Sequence, residues 1–309
     1  PFTTAQVASL QHRGHAILEH GGRLRRAAQA YTIPLAHWLD LSTGVSPFAW
    51  PVPAIPEHVW QRLPEDDDDL ADCAAAYYGA PQVLPVAGSQ AAIQALPLLR
   101  APSRVGVLTP GYAEHAQAWQ RAGHQVVPMS AAQLLHAGET LDVAVLIHPN
   151  NPCADRFDPD KLLQLHARLA SRGGWLVIDE AFMDATPQHS VCGYTQRPGL
   201  VVLRSVGKFF GMAGARAGFV CADRAMLDAC ANAWGHGRSA ARRGGPCIRH
   251  WPIRRGRFMH VRACTRHRSG LRSCCMRIRS YLPQARRSFS GASATTRPPC
   301  TSRWRNASS

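Results

Sequence analysis

From about Arg104 onward, short apolar runs alternate with amphipathic stretches along the chain. Val105–Leu108, Leu141–Ile147, Trp175–Ile178 and Leu200–Leu203 read as buried strands, with further strands at Val83–Val86, Gln125–Val127 and Arg216–Cys221. Tyr112–Ala122 reads as a helix. So does Pro159–Ser171, where Leu162, Leu163, Leu165 and Leu169 lie on one side and Asp158 stands near the start. Strands that are apolar along their length need cover on both faces, so the pattern predicts an α/β fold with a mostly parallel sheet. The first hundred residues are less regular. There the acidic run Asp66–Asp69 precedes the apolar stretch Leu70–Tyr78, and acidic charge at a helix N-terminus explains it better than metal binding does.

The polar motifs fall at the strand ends, where sheets of this kind bind ligands. Strand 141–147 runs into His148-Pro-Asn-Asn-Pro152, strand 175–178 into Asp179-Glu-Ala-Phe182, and strand 200–203 into Arg204-Ser-Val-Gly-Lys208. Val83–Val86 leads into Ala87-Gly-Ser-Gln-Ala91, which opens a helix to about Leu99 and offers backbone N–H groups and a hydroxyl to a phosphate. Lys208 is one of only two lysines in the chain, and it sits among glycines and phenylalanines. A desolvated lysine can lose its proton and form a Schiff base, which arginine cannot do. The ordinary alternative is a snorkelling lysine beside a Gly-rich turn.

Composition changes the picture mainly by its unevenness. At 309 residues the chain can build one large or two modest domains. It has no apolar run long enough to span a membrane, and no apolar signal region in its first thirty residues, so a cytoplasmic setting is expected. The net charge of +15 suggests nucleic acid, but 18 arginines and no acids fall in residues 235–309. The first 234 residues hold the other 17 Lys+Arg and all 20 Asp+Glu, a net charge of −3. The ten cysteines have no zinc-site spacing and read as free thiols, and no metal is expected. The tail lacks periodicity. A nucleic-acid-binding arm is one reading of it. The abrupt change after Trp234, with no lysine beyond it, fits better a GC-rich gene read in the wrong frame, and a poorly ordered segment is expected.

Taken together, residues 83–220 resemble the fold-type I pyridoxal-phosphate enzymes of the class I/II aminotransferase superfamily. The ordered set Gly-Ser-Gln, aromatic, Asn-Asn-Pro, Asp-Glu-Ala-Phe, Ser-x-x-Lys, Arg carries the likeness, although each motif alone is weak. The resemblance implies the three-layer α/β/α large domain of that fold over residues 46–234, with an arm at 1–45. The small C-terminal domain is expected to be absent or disrupted by the tail. It implies pyridoxal 5′-phosphate as cofactor, with Lys208 bonding its aldehyde and later returning a proton to Cα. Asp179 would partner the protonated ring nitrogen and keep the ring an electron sink. Asn151 would hydrogen-bond the 3′ oxygen, and Tyr112 would stack on the ring. Gly88, Ser89, Gln90, Ser205 and Arg216 would hold the phosphate, Arg216 as a charged fork. Singly, Asp179 also reads as a helix cap, Tyr112 as core and Asn151 as a turn residue.

Further phrases narrow the likeness over roughly residues 13–234. Glu19-His-Gly-Gly22, His37-Trp-Leu-Asp-Leu-Ser-Thr-Gly44, Gly111-Tyr-Ala-Glu-His115 and Gly207-Lys-Phe-Phe-Gly-Met-Ala-Gly-Ala-Arg216 are similar to the threonine-phosphate decarboxylases of cobalamin biosynthesis. That family converts L-threonine O-3-phosphate to 1-aminopropan-2-ol phosphate and CO2 and implies a homodimer. His20, Gly21 and Gly22 become candidates for the substrate phosphate, with Thr43 and Gly44 lining the site. Neither nucleic acid nor membrane is an expected partner. The related histidinol-phosphate aminotransferases, which share most cofactor residues, are the alternative, and a basic nucleic-acid-binding protein is a remote one.

Three departures stand out. Phe182 occupies a position where the family often has Tyr. The usual Asn-Pro-Thr-Gly reads Asn151-Pro-Cys153-Ala154, which should alter the turn after Asn151. The segment Arg62-Leu-Pro-Glu65 lacks the tyrosine that reaches a partner subunit's phosphate site. The superfamily's substrate-binding arginine has no matching motif in the tail. Hydrogen exchange should find no protected amides in residues 245–309, and protection there would overturn the wrong-frame reading.

Overall fold

The computed structural model describes residues 21–52 and 69–234. His20, the segment 62–65, Asp66–Asp68 and the Arg-rich tail lie outside the described residues. Contacts divide the chain into two units at Gly44 and Val45.

In the first unit, helix α1 (Leu24–Tyr31) stops at Thr32, which turns left-handed at φ 56°. The Trp38 indole N–H donates to the Ile33 carbonyl at 3.1 Å and folds the following turn back. Asp40 then accepts from the Ser42 backbone N–H at 2.8 Å and its hydroxyl at 2.5 Å, while Ser42 Oγ accepts from Gly22 N–H at 2.7 Å. Those bonds hold the Asp40 carboxyl below its ordinary range.

The second unit is built on a seven-stranded sheet. Its strands are β1 (Val83–Val86), β2 (Arg104–Leu108), β3 (Gln125–Met129), β4 (Val143–Ile147), β5 (Trp175–Asp179), β6 (Leu200–Ser205) and β7 (Gly218–Cys221), in the order β1-β7-β6-β5-β4-β2-β3. The pairings from β6 through β5, β4 and β2 to β3 are parallel, and β7 runs antiparallel to both its neighbours. The expected mostly parallel sheet is therefore present, with one reversed strand.

Alternation along the strands sends side chains to two helical layers. Ala144, Leu146, Leu176, Ile178, Leu200 and Val202 pack with Leu70 and Ala74 of α2 (Leu70–Tyr78), Leu134 of α5 (Ala131–His136) and Leu162, Leu165 and Leu169 of α6 (Pro159–Ala170). Val143, Val145, Val177, Val201 and Leu203 pack on the other side. Their partners are Ala92 and Ile93 of α3 (Ser89–Ala95), Trp119 of α4 (Ala113–Arg121), and Met226 and Leu227 of α7 (Arg224–Trp234). This is the three-layer α/β/α arrangement. Among the described residues, no helix is long and apolar enough to cross a membrane.

Local chemistry sets the helix starts. At α6, Asp158 accepts from the Asp160 N–H at 2.9 Å and Pro159 occupies the first turn, where its missing N–H costs nothing. Two helices of the second unit lie outside the sequence reading, as does α1 of the first. For α5, a capping box joins Ser130 and Gln133. For α7, Asp223 accepts from the backbone N–H groups of Ala225 and Met226. The strand expected from Arg216 begins at Gly218 instead, because Arg216 turns left-handed at φ 52°.

At the carboxyl end of the sheet, Arg204 is fully buried. It donates to Glu180 Oε2 and to Asp184 Oδ1, both at 2.7 Å, and stacks over the Tyr78 ring at 4.4 Å. Glu180 also accepts from Ser190 Oγ at 2.6 Å and from Val191 N–H at 3.0 Å, which draws the loop after β5 onto the sheet end. Removing one partner of a buried pair strands the remaining charge. Arg204→Leu should therefore lose about 3–5 kcal/mol of stability in denaturant unfolding. Arg224→Ala, which breaks an exposed i,i+4 pair with Asp228, should lose no more than about 0.5 kcal/mol.

Candidate active site

Four chain segments meet where β1, β2, β5 and β6 end. β5 delivers Asp179, which is only 4% exposed. Its Oδ1 accepts from the Ala181 N–H at 3.0 Å, and its Oδ2 lies 3.0 Å from Nε2 of His115, itself 1% exposed. His115 comes from the first turn of α4, one turn after Tyr112, and the two rings meet edge-on at 6.1 Å. The spacing from 112 to 115 puts both side chains on one helix face. Asp179 is thus buried with both oxygens oriented, and its histidine partner was missed in the sequence reading. The phrase Gly-Tyr-Ala-Glu-His carried that signal.

β6 delivers the lysine. After Ser205, whose Oγ accepts from the Gly207 N–H at 3.1 Å, the chain turns at Gly207 and presents Lys208, half-buried, with Nζ 5.5 Å above the Phe182 ring. The backbone at 208 is pinned: its carbonyl accepts from Ser46 N–H at 2.9 Å and Gly211 N–H at 3.2 Å. The Phe210 carbonyl accepts from Trp50 N–H at 2.8 Å. Gly211 takes φ 64°, and a Cβ there would lie 2.8 Å from Cα of Ala49. Burial draws the Lys208 ammonium below the ordinary lysine range. Asp179 opposes this and Arg216 adds to it.

An anion cradle forms beside the lysine. Gly88 has φ 80°, and a Cβ there would come within 2.6 Å of Nη2 of Arg216. A Cβ at Gly218 would lie 2.5 Å from the Ser89 backbone nitrogen. Two glycines therefore let the first turn of α3, with N–H groups that have no intrahelical acceptor, close on a guanidinium. Arg216 is held by a bond from Nη1 to the Ala213 carbonyl at 3.1 Å. Gly88, Ser89 and Arg216 are brought together as expected. Gln90 differs in that its side chain turns to Tyr112 and Glu114.

The loop after β4 is set by Asn150, which is buried. Its Nδ2 donates to the Pro110 carbonyl at 2.9 Å and so fastens this loop to the turn that carries Tyr112. Asn151, the residue expected to meet the ring oxygen, is exposed. The turn behind it still carries a left-handed residue: Ala154 sits at φ 57°, a conformation that costs a non-glycine about 1–2 kcal/mol. In the first unit, Gly22 and Thr43 approach each other, with a Cβ at 22 only 3.2 Å from Thr43 Cγ2. A Cβ at Gly21 would overlap the Ser42 carbonyl. Gly44 ends that unit.

A lysine with weakened proton affinity, an oriented buried carboxylate and an anion cradle at the ends of parallel strands form a site for a phosphate-bearing carbonyl cofactor. The family model for aminotransferase class I and II matches residues 56–241, and the chain belongs to that family. Its cofactor is accordingly pyridoxal 5′-phosphate. The particular likeness is to threonine-phosphate decarboxylases. The chain is 58% identical over 219 residues to that of Pseudomonas aeruginosa, covering 71% of this chain and 66% of the relative. A Sinorhizobium protein of the same name is 43% identical over 218 residues, covering 69% and 65%. The chain thus spans just under two thirds of the length of these relatives. In fold it matches the solved L-threonine-O-3-phosphate decarboxylase of Porphyromonas gingivalis with TM-score 0.52 at 20% identity, covering 62% of this chain and 64% of that one.

The electrostatics give a direct check on Lys208. Amine labelling mapped by mass spectrometry should give Lys208 a midpoint pH below that of a free lysine, since its ammonium is disfavoured. Arg216→Leu should raise the midpoint by removing a like charge, and Asp179→Asn should lower it further.

Proposed function

We propose that this chain binds pyridoxal 5′-phosphate to decarboxylate L-threonine O-3-phosphate, giving (R)-1-aminopropan-2-ol O-phosphate and CO2. The observation that carries the cofactor half is Lys208, half-buried, with Asp179 and Arg216 acting on its charge in opposite senses. The identity to threonine-phosphate decarboxylases supports the choice of substrate.

The residues present fit the cofactor. The Gly88–Ser89 turn, Arg216 and the Ser205 hydroxyl would hold its phosphate, and Asp179, oriented by His115 and the Ala181 N–H, would hold a proton at the ring nitrogen. Tyr112 would cover one ring face and Asn151 would reach the 3′ oxygen. When bound, the cofactor supplies the sink for the electron pair left on Cα as CO2 departs. The chain's own part is to keep that pair from the wrong fate. Lys208, whose ammonium is disfavoured by burial, would accept a proton as the substrate amine arrives and return one to Cα after the carbon–carbon bond has broken. Phe182 adds no hydroxyl near Lys208. His20, Gly21 and Gly22 are the candidates for the substrate's own phosphate, with Thr43 and Gly44 as site-lining residues. Action as a homodimer in the cytoplasm belongs to the same proposal.

Adding pyridoxal phosphate to the protein should produce a visible absorbance band that Lys208→Ala abolishes. No band in the wild type would sink the cofactor reading. A single-turnover assay should then release CO2 from threonine phosphate without 2-oxoglutarate. Loss of histidinol phosphate that depends on 2-oxoglutarate would replace the decarboxylase by an aminotransferase.

A further inference from the structure

The first turns of α3 and α4 share a polar chain that the cofactor residues alone do not account for. Tyr112 OH donates to Oε1 of Gln90 at 3.1 Å. Nε2 of Gln90 donates to Oε2 of Glu114 at 2.9 Å, and Nε2 of Gln94 donates to the same oxygen at 3.0 Å. Gln90, Gln94 and Glu114 are all partly shielded from water.

The direction of the chain follows from the groups in it. A carboxylate only accepts, so Glu114 compels both glutamines to turn their NH2 ends toward it. With its NH2 committed, Gln90 shows its carbonyl to Tyr112, and the phenol must donate. A flipped Gln90 amide would set its carbonyl against the Glu114 carboxylate and its NH2 against the phenol oxygen, losing one bond and creating a repulsion. We propose that Glu114 is a positioning residue for Tyr112, acting through Gln90 to fix the tyrosine hydroxyl as a donor and the ring in one plane. This rests on the reading of Tyr112 as the cofactor's stacking partner.

The environment of the phenol agrees. Burial, then Glu114, then Asp179 raise the Tyr112 hydroxyl to about 12, with Arg216 opposing, so the donor proton is retained across the working range. Gln94 makes the Glu114 carboxylate a shared acceptor, so the relay is tied to the helix that carries the Gly88–Ser89 turn. The ring face and the anion cradle are thereby set by one pair of helix ends.

The test uses the full chain carrying ring-13C tyrosine, first without cofactor. The Tyr112 signal is the one of six tyrosine signals lost in Tyr112→Phe. Glu114→Ala and Gln90→Ala should each move this signal, and the double variant should move it no more than either alone. Glu114→Gln keeps an acceptor for the two NH2 groups and should restore the wild-type signal position. If Glu114→Gln behaves like Glu114→Ala, or if Glu114→Ala acts undiminished in the Gln90→Ala background, Glu114 acts through space by charge and the relay is wrong. With pyridoxal phosphate, Glu114→Ala should weaken binding about threefold to tenfold, the loss of one hydrogen bond's positioning. A relay intact in the free protein together with unchanged cofactor affinity would defeat the stacking reading of Tyr112 and leave the relay standing.

Discussion

Arg204 joins the two strand ends from which the chemistry is built. A guanidinium 2% exposed cannot sit there without counter-charges, and it has two, on Glu180 and Asp184. Glu180 follows Asp179 directly, and Arg204 precedes Ser205 and the turn to Lys208. One buried interaction therefore clamps the exit of β5 to the exit of β6. The desolvation cost of three charged groups is only roughly repaid by their attraction, so the arrangement is poor evidence of stability and better evidence of a required geometry. The lysine and the carboxylate are placed by a group that takes no part in their chemistry.

The other side of Asp179 depends on α4. A carboxylate with one oxygen on a backbone N–H and the other on His115 has a single orientation, so the position of the first turn of α4 decides where its charge points. That turn carries Tyr112, Glu114 and His115 together, and Asn150 fastens the preceding Pro110 to the loop after β4. The constraints converge at the sheet's carboxyl end because the strand interiors are spoken for. With both faces covered by apolar layers, polar side chains have room only where the strands stop.

This explains which features were legible from sequence. Runs such as Leu141–Ile147 and Leu200–Leu203 announce buried strands whatever follows them, and the motifs after them inherit a place at the strand ends. The reversed direction of β7 could not be read, since four apolar residues look alike in either direction. α5 and α7 carry their signals in caps, Ser130 with Gln133 and Asp223, and in short apolar spacing that is easily passed over. Arg204, Glu180, His115 and Glu114 were visible as letters inside the motifs, but what they do depends on partners 20 to 64 positions away. Asn151 shows the converse. Its motif is plain, yet in this structure its neighbour Asn150 takes the buried position.

Arg216 shows how far a backbone will bend to present a side chain. It is one of three described non-glycine residues at positive φ, where glycine or asparagine would rest more easily. Across from it Gly88 also takes a positive φ, and a methyl group there would strike the guanidinium. Glycine thus stands where space is needed, and arginine stands where the backbone would prefer glycine. The cost at 216 is of order 1 kcal/mol, and such outliers persist where the surroundings over-determine them. What over-determines this one is the side chain. Its guanidinium is held by the Ala213 carbonyl, stands against Gly88, and adds to the effect of burial in lowering the proton affinity of Lys208.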